Sequence, residues 1–96
     1  MHFVFYGTDK VGQLELRKQT RAAHLDWIKA NAIVLAGPRL DESGDMIGSM
    51  VVLEADDLTE AQKIFASDPY AQAGLFASSE ITAWNWVVGA PAGAAG

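Results

Sequence analysis

The sequence predicts an α+β domain with its elements in the order β-α-β-β-α-β. Three observations carry that prediction. Short aromatic and β-branched runs alternate with two longer stretches whose apolar residues recur every three or four positions. Turn chemistry separates them, at Gly7-Thr8-Asp9, Gly37-Pro38, Gly44 and Asp68-Pro69. The length, 96 residues, suits one hydrophobic core and leaves no room for a second.

The first strand is the aromatic run 3–6, ended by Gly7-Thr8-Asp9. Residues 13–31 have helical spacing, with Leu14, Arg21, Leu25 and Ile28 on one face and Lys18, Asp26 and Lys29 turned away. The second strand, 33–36, is stopped by Gly37-Pro38. An acidic loop over 41–45, with Gly44 inside it, turns the chain into a third strand at 47–54, antiparallel to the second. A second helix opens at Asp57, capped by Asp57 or Thr59, and carries Leu58, Ala61, Ile64 and Phe65 at apolar spacing. It ends by Asp68-Pro69, because the residue before a proline is pushed out of the α region. Residues 70–75 form a short loop or a single helical turn. The last strand covers about 77–88, and a small-residue tail, 89–96, has nothing to bury and is expected to be flexible. A single domain over 1–88 results.

This order is the split, ferredoxin-like arrangement, an antiparallel four-stranded sheet with two helices on one face. Two helices leave the other face bare. Yet Trp84 and Trp86 point to one side of the last strand while Ile81, Ala83 and Val87 point to the other. A sheet with one wet face would show polar residues there. The bare face therefore calls for a partner, and a homodimer through it is expected.

The formal net charge is −5, with acids scattered over Asp41, Glu42, Asp45, Glu54, Asp56 and Asp57, which disfavours nucleic acid and an anionic membrane surface as partners. The absence of cysteine excludes disulfides, thiolate catalysis and thiolate metal sites. The chain runs straight into its first strand without a basic leader, and no run approaches the roughly twenty apolar residues that span a bilayer. A soluble, cytoplasmic protein is expected. No phosphate-binding glycine loop, nucleophile elbow or metal-ligand spacing occurs, so neither a cofactor nor a metal is expected.

What remains for chemistry centres on His24. On a helix it shares a stripe with Arg17, Arg21 and Ile28, spaced four, three and four apart. An imidazole titrates near neutral pH and suits general acid–base work, and a guanidinium fork suits a carboxylate. Tyr6, Ser49 and Tyr70 supply hydroxyls, and the backbone at Gly37-Pro38 and Gly48 allows close approach of a ligand. Each of these has a plainer reading as strand-end or turn chemistry, and His24 itself as a packed helix histidine.

Taken in order, the opening strand ending in Tyr6, Arg17, Arg21 and His24-Leu25 on the helix, Ala36-Gly37-Pro38, Gly48-Ser49, Asp68-Pro69-Tyr70 and Ala73-Gly74 run through most of the chain. In this order and spacing they resemble the YciI-like (YCII-related) family of the dimeric α+β barrel group. The resemblance implies a ferredoxin-like dimer and a His–Asp pair, which falls on His24 and Asp68. It also implies kinship with a dehydrochlorinase acting on a chlorinated hydroxyhydroquinone and, more distantly in fold, with muconolactone isomerases. The loop between the second and third strands is short, which weakens its claim to cover a substrate.

Asp68 then has two readings, orienting the imidazole or capping a helix that starts at Pro69. Arg21, set between Leu14, Leu25 and Ile28, needs a buried partner and competes for the same carboxylate, whereas Arg17 reads as solvated or paired with Glu15. The function expected is proton transfer by His24, with Asp68 orienting it and Arg17 or Arg21 holding a small anionic or phenolic substrate, as in a lyase or isomerase. A non-catalytic small-molecule-binding or dimeric scaffold domain is the alternative.

Overall fold

The computed structural model describes residues 1–90 of the chain. The elements are β1 (His2–Asp9), α1 (Leu14–Ala30), β2 (Ile33–Leu40), β3 (Met46–Glu54), α2 (Leu58–Ala66), α3 (Pro69–Gln72) and β4 (Phe76–Trp84). The strands form one antiparallel sheet in the order β2-β3-β1-β4, so the expected β-α-β-β-α-β arrangement stands, with α3 as an added short helix.

Alternation along the strands decides what each face sees. Phe3 and Phe5 of β1 and Val51 and Leu53 of β3 turn toward the helices. There they pack with Trp27 of α1 and with Ala61 and Phe65 of α2. The Phe5 ring lies 5.2 Å from Phe65 and 5.0 Å from Phe76, in tilted arrangements that favour the ring quadrupoles. Burying one such side chain fully is worth roughly 1.5–3 kcal/mol. The opposite face carries Val4, Tyr6, Leu35, Met50, Val52 and Trp84, as the strand registers require, and Tyr6, Leu35 and Met50 on it are exposed. No helix among the described residues covers that face.

Local chemistry sets the ends of the elements. Asp57 caps α2 by accepting from the Glu60 N–H at 2.8 Å. Asp41 accepts from the N–H groups of Ser43 and Asp45, closing the β2–β3 turn that Gly44 completes with a φ of +87°. At Gly48 a Cβ would collide with the carbonyl oxygen of Gly7, so β1 and β3 approach there only because Gly48 lacks a side chain; at Gly7 a Cβ would meet the rings of Phe5 and Phe76.

Three strand ends and one helix face differ from the sequence expectation. β1 does not stop at Tyr6 but runs on to Asp9, with Gly7 and Thr8 paired on both sides. β2 does not stop at Gly37-Pro38 but runs on to Leu40. It is an edge strand, where a proline lacking its N–H is tolerated. α2 ends at Ala66, before Asp68-Pro69 as expected, and Asp68 caps α3. β4 ends at Trp84, so Trp86 and Val87 lie beyond it, the Trp86 indole N–H donating to the Val88 carbonyl at 2.7 Å. The buried residues of α1 are Arg17, His24 and Trp27, not the Leu14–Arg21–Leu25–Ile28 face. Of the tail expected over 89–96, the part from residue 91 on lies outside the described residues. Among the described residues no helix is long and apolar enough to cross a membrane.

Candidate active site

Two buried carboxylates meet the buried stripe of α1. The first is Asp9, at the end of β1. Arg17 donates to it twice, from Nε at 2.6 Å and Nη2 at 2.9 Å, and Nη2 also donates to Ser49 Oγ on β3 at 2.7 Å. The guanidinium is only 2 % exposed. Burial works against its charge, but the hydrogen bonds to Asp9 and the field of that carboxylate outweigh it and hold the pKa above its ordinary value. Arg17 is a buried, fully charged group.

The second carboxylate is Asp68. Its Oδ1 lies 2.7 Å from His24 Nδ1 and also accepts the Tyr70 N–H at 3.0 Å, capping α3 at Pro69. One oxygen thus performs both duties that the sequence left open. A carboxylate only accepts, so Nδ1 must carry the proton, and in the neutral ring the Nε2 lone pair is free. Nε2 has no protein partner among the described residues.

Aromatic rings fix the imidazole in plane. It stacks on Tyr70, with centroids 4.1 Å apart and planes 20° off parallel, and on Trp27 at 5.7 Å. The Trp27 indole N–H donates to Ser67 Oγ at 2.8 Å, and Ser67 in turn donates to the Ile64 carbonyl. The Arg17 guanidinium carbon sits 4.6 Å from the Tyr70 ring centre. Burial raises the Tyr70 phenol above its usual pKa, against the lowering field of Arg17, so it is a neutral hydroxyl at physiological pH.

A cleft of about 610 Å³ opens beside this column, between α1 and the β2–β3 edge. Lys18, Arg21, Leu25 and Ile28 line one side and Ala36, Gly37, Pro38 and Met46 the other, with Arg17, Ser49, His24 and Tyr70 between. Ala36 and Pro38 pair with Val51 and Ser49 of β3, which turns them toward the helices. Arg21 is exposed and makes no hydrogen bond or ion pair among the described residues. No carboxylate lines the cleft among those residues, so it is a cationic cleft in an acidic chain. No group of three or more potential metal ligands gathers there or elsewhere in the described residues.

Residues 1–85 match the YCII-related domain. The chain belongs to that family. It is 34% identical over 86 residues to the YciI protein of Escherichia coli, covering 79% of this chain and 88% of the relative. A protein of Haemophilus influenzae is 31% identical over 87 residues, covering 80% and 89%. Among solved structures it is similar to the 5-chloro-2-hydroxyhydroquinone dehydrochlorinase of Burkholderia phenoliruptrix in complex with 2,5-dihydroxybenzoquinone. That match has a TM-score of 0.77 and 35% identity, covering 88% of this chain and 93% of the other. An antibiotic biosynthesis monooxygenase-like protein of Nitrosomonas europaea shares the fold alone, at 12% identity and a TM-score of 0.57.

The fold of this YCII-related chain gathers His24, Asp68, Arg17, Arg21, Gly37, Pro38, Ser49 and Tyr70 at or beside one cleft. It does not bring Tyr6 there. With Phe5 turned inward, strand alternation turns Tyr6 out onto the bare sheet face, where Arg39 covers its ring at 4.0 Å and donates to Thr8 Oγ1. Gly48 likewise lies against Gly7 and Arg39 rather than the cleft. Burial does not fall on Arg21, as its apolar neighbours on the helix suggested. Arg17 is the buried, paired one and Arg21 the open one, and Asp68 takes His24 rather than Arg21. Sequence reasoning missed Asp9 and Trp27. The signal for Trp27 was its spacing of three from His24; Asp9 looked like turn chemistry and nothing else.

Proposed function

We propose that this chain is a small enzyme in which His24 moves a proton on a flat, anionic or phenolic ring compound. One observation carries the reading: the imidazole is held by Asp68 through Nδ1 while Nε2 is left free at a cleft whose unpaired cations are Arg21 and Lys18. In an elimination, Nε2 takes a proton from the ring compound while the leaving group departs with its bonding electrons. Loss of HX in this way needs no oxidant. In an isomerisation, Nε2 returns the proton to another carbon. Asp68 stabilises the imidazolium formed in either case, and Arg21 holds the substrate's negative charge. Kinship with a dehydrochlorinase of a chlorinated hydroxyhydroquinone supports elimination as the first reaction to assay.

Two copies joined through the bare sheet face complete the reading. Exposed Tyr6, Leu35 and Met50 on that face support it. Met50→Glu should convert a dimer to monomer in sedimentation; an unchanged mass would remove this part of the reading.

The chemistry is tested by chloride release and quinone absorbance from 5-chloro-2-hydroxyhydroquinone, parent against His24→Asn. Asparagine can still donate to Asp68 but has no basic nitrogen. A loss of about 10²–10⁴-fold in rate is expected. Equal rates in parent and variant would rule out His24 as the base. Tight binding of ring anions without any turnover would point instead to a binding domain.

A further inference from the structure

We propose that Arg17 is a positioning residue for His24, acting through the ring of Tyr70 rather than on the substrate. This rests on the proton-transfer reading above. The guanidinium and the imidazole approach the Tyr70 ring centre to 4.6 and 4.1 Å. The Tyr70 ring is in contact with both groups. Helix geometry permits this. Arg17 and His24 are seven residues apart, about 10.5 Å along α1, which leaves room for one aromatic ring between them.

The rest of the column is anchored at both ends. Asp9 and Ser49 take three hydrogen bonds from Arg17 Nε and Nη2, which fixes the plane of the guanidinium. At the other end Trp27 backs the imidazole and is tied to Ser67. Asp68 fixes the imidazole at one atom only; a single hydrogen bond leaves the ring free to swing about it. The stack supplies the missing constraint and aims Nε2 into the cleft. Asp9 has a second effect. It cancels the guanidinium charge, so the column sets geometry without placing an uncompensated cation beside a base that must itself become cationic.

Two buried charges make Arg17→Met alone a poor test, so Asp9→Asn is combined with it. In the folded double variant, nitrogen-15 spectra of the His24 ring should lose the clean Nδ1–H signature, and its carbon-bound protons should lose the upfield displacement that Tyr70 imposes. His24→Asn assigns those signals against His2. Tyr70→Leu, which keeps the Arg17–Asp9 pair, should give the same change; Tyr70→Phe, which keeps the stack, should not. Where turnover is measured, kcat should fall by on the order of 10²-fold with KM nearly constant, the expected result of a misaimed group. Unchanged ring signals in the folded double variant and in Tyr70→Leu would overturn the proposal. The spectra do not depend on any substrate, so a failed assay leaves this test intact.

Discussion

At two points along α1 a basic side chain is buried against a carboxylate, and the two differ in what is left over. At Asp9–Arg17 three hydrogen bonds take up Nε and Nη2 and fix the guanidinium against a carboxylate and a hydroxyl. At Asp68–His24 a single bond consumes one ring nitrogen and leaves the other at the cleft. The first pair has the form of a structural clamp. The second has the form of an oriented base. A buried charge pair therefore says little about function until its unused atoms are counted.

The largest effect should come from breaking the Asp9–Arg17 pair. Arg17→Met strands the Asp9 carboxylate, which is 6 % exposed, and removing one partner of a buried pair costs about 3–5 kcal/mol. Neutralising both partners together should cost far less, because no uncompensated charge remains. A double-mutant cycle in urea unfolding measures the difference. Additive losses would mean that the two residues act independently and that the clamp description is wrong.

The open pair should behave differently. Asp68→Ala removes the α3 cap as well as the imidazole partner, and loss of a cap costs about 0.5–2 kcal/mol. Asp68→Asn keeps an oxygen that can accept from both Nδ1 and the Tyr70 N–H, so thermal unfolding should scarcely change. Turnover should nonetheless drop steeply in Asp68→Asn, because no anion remains to stabilise the imidazolium. If stability and rate fell in parallel across the two variants, the open pair would be another clamp.

Arg21 sharpens the contrast from outside both pairs. It is exposed and without a carboxylate, so Arg21→Gln should shift stability by less than about 0.5 kcal/mol. Binding of a ring anion, followed by calorimetry, should weaken about tenfold, or about 1.4 kcal/mol. Retained affinity would move the anion site to Lys18.

These roles were only partly legible in the sequence. Element order came from periodicity, and the His24–Asp68 pair from a family likeness that the geometry of the pair agrees with. The identity of the buried arginine was not readable, because it depends on how α1 is rolled on the sheet. The helix turns Arg17, His24 and Trp27 inward and gives Leu25 and Ile28 to the cleft wall, opposite to what an apolar stripe suggests. Asp9 was hidden because its bond to Arg17 crosses from a strand end to a helix, a relation no local pattern encodes. The placement of Tyr6, by contrast, follows from strict alternation beside an inward Phe5.

Tyr70 joins the two pairs, and its titration gives the smallest effect. Burial raises its phenol above the ordinary value of 10.0. The folded chain therefore holds that proton to higher pH than the unfolded chain does. Its contribution to stability is fully present below the ordinary phenol pKa and is lost as pH rises through that value toward the raised one. Tyr70→Phe keeps the ring between Arg17 and His24 but removes the titration. Chemical unfolding between about pH 9 and 11 should thus show a shallower loss of stability in Tyr70→Phe than in the parent, with little difference near neutrality. Parallel curves would mean that the Tyr70 hydroxyl is as well solvated in the folded chain as in the unfolded one, and that the column between the two carboxylates is open to water at its centre.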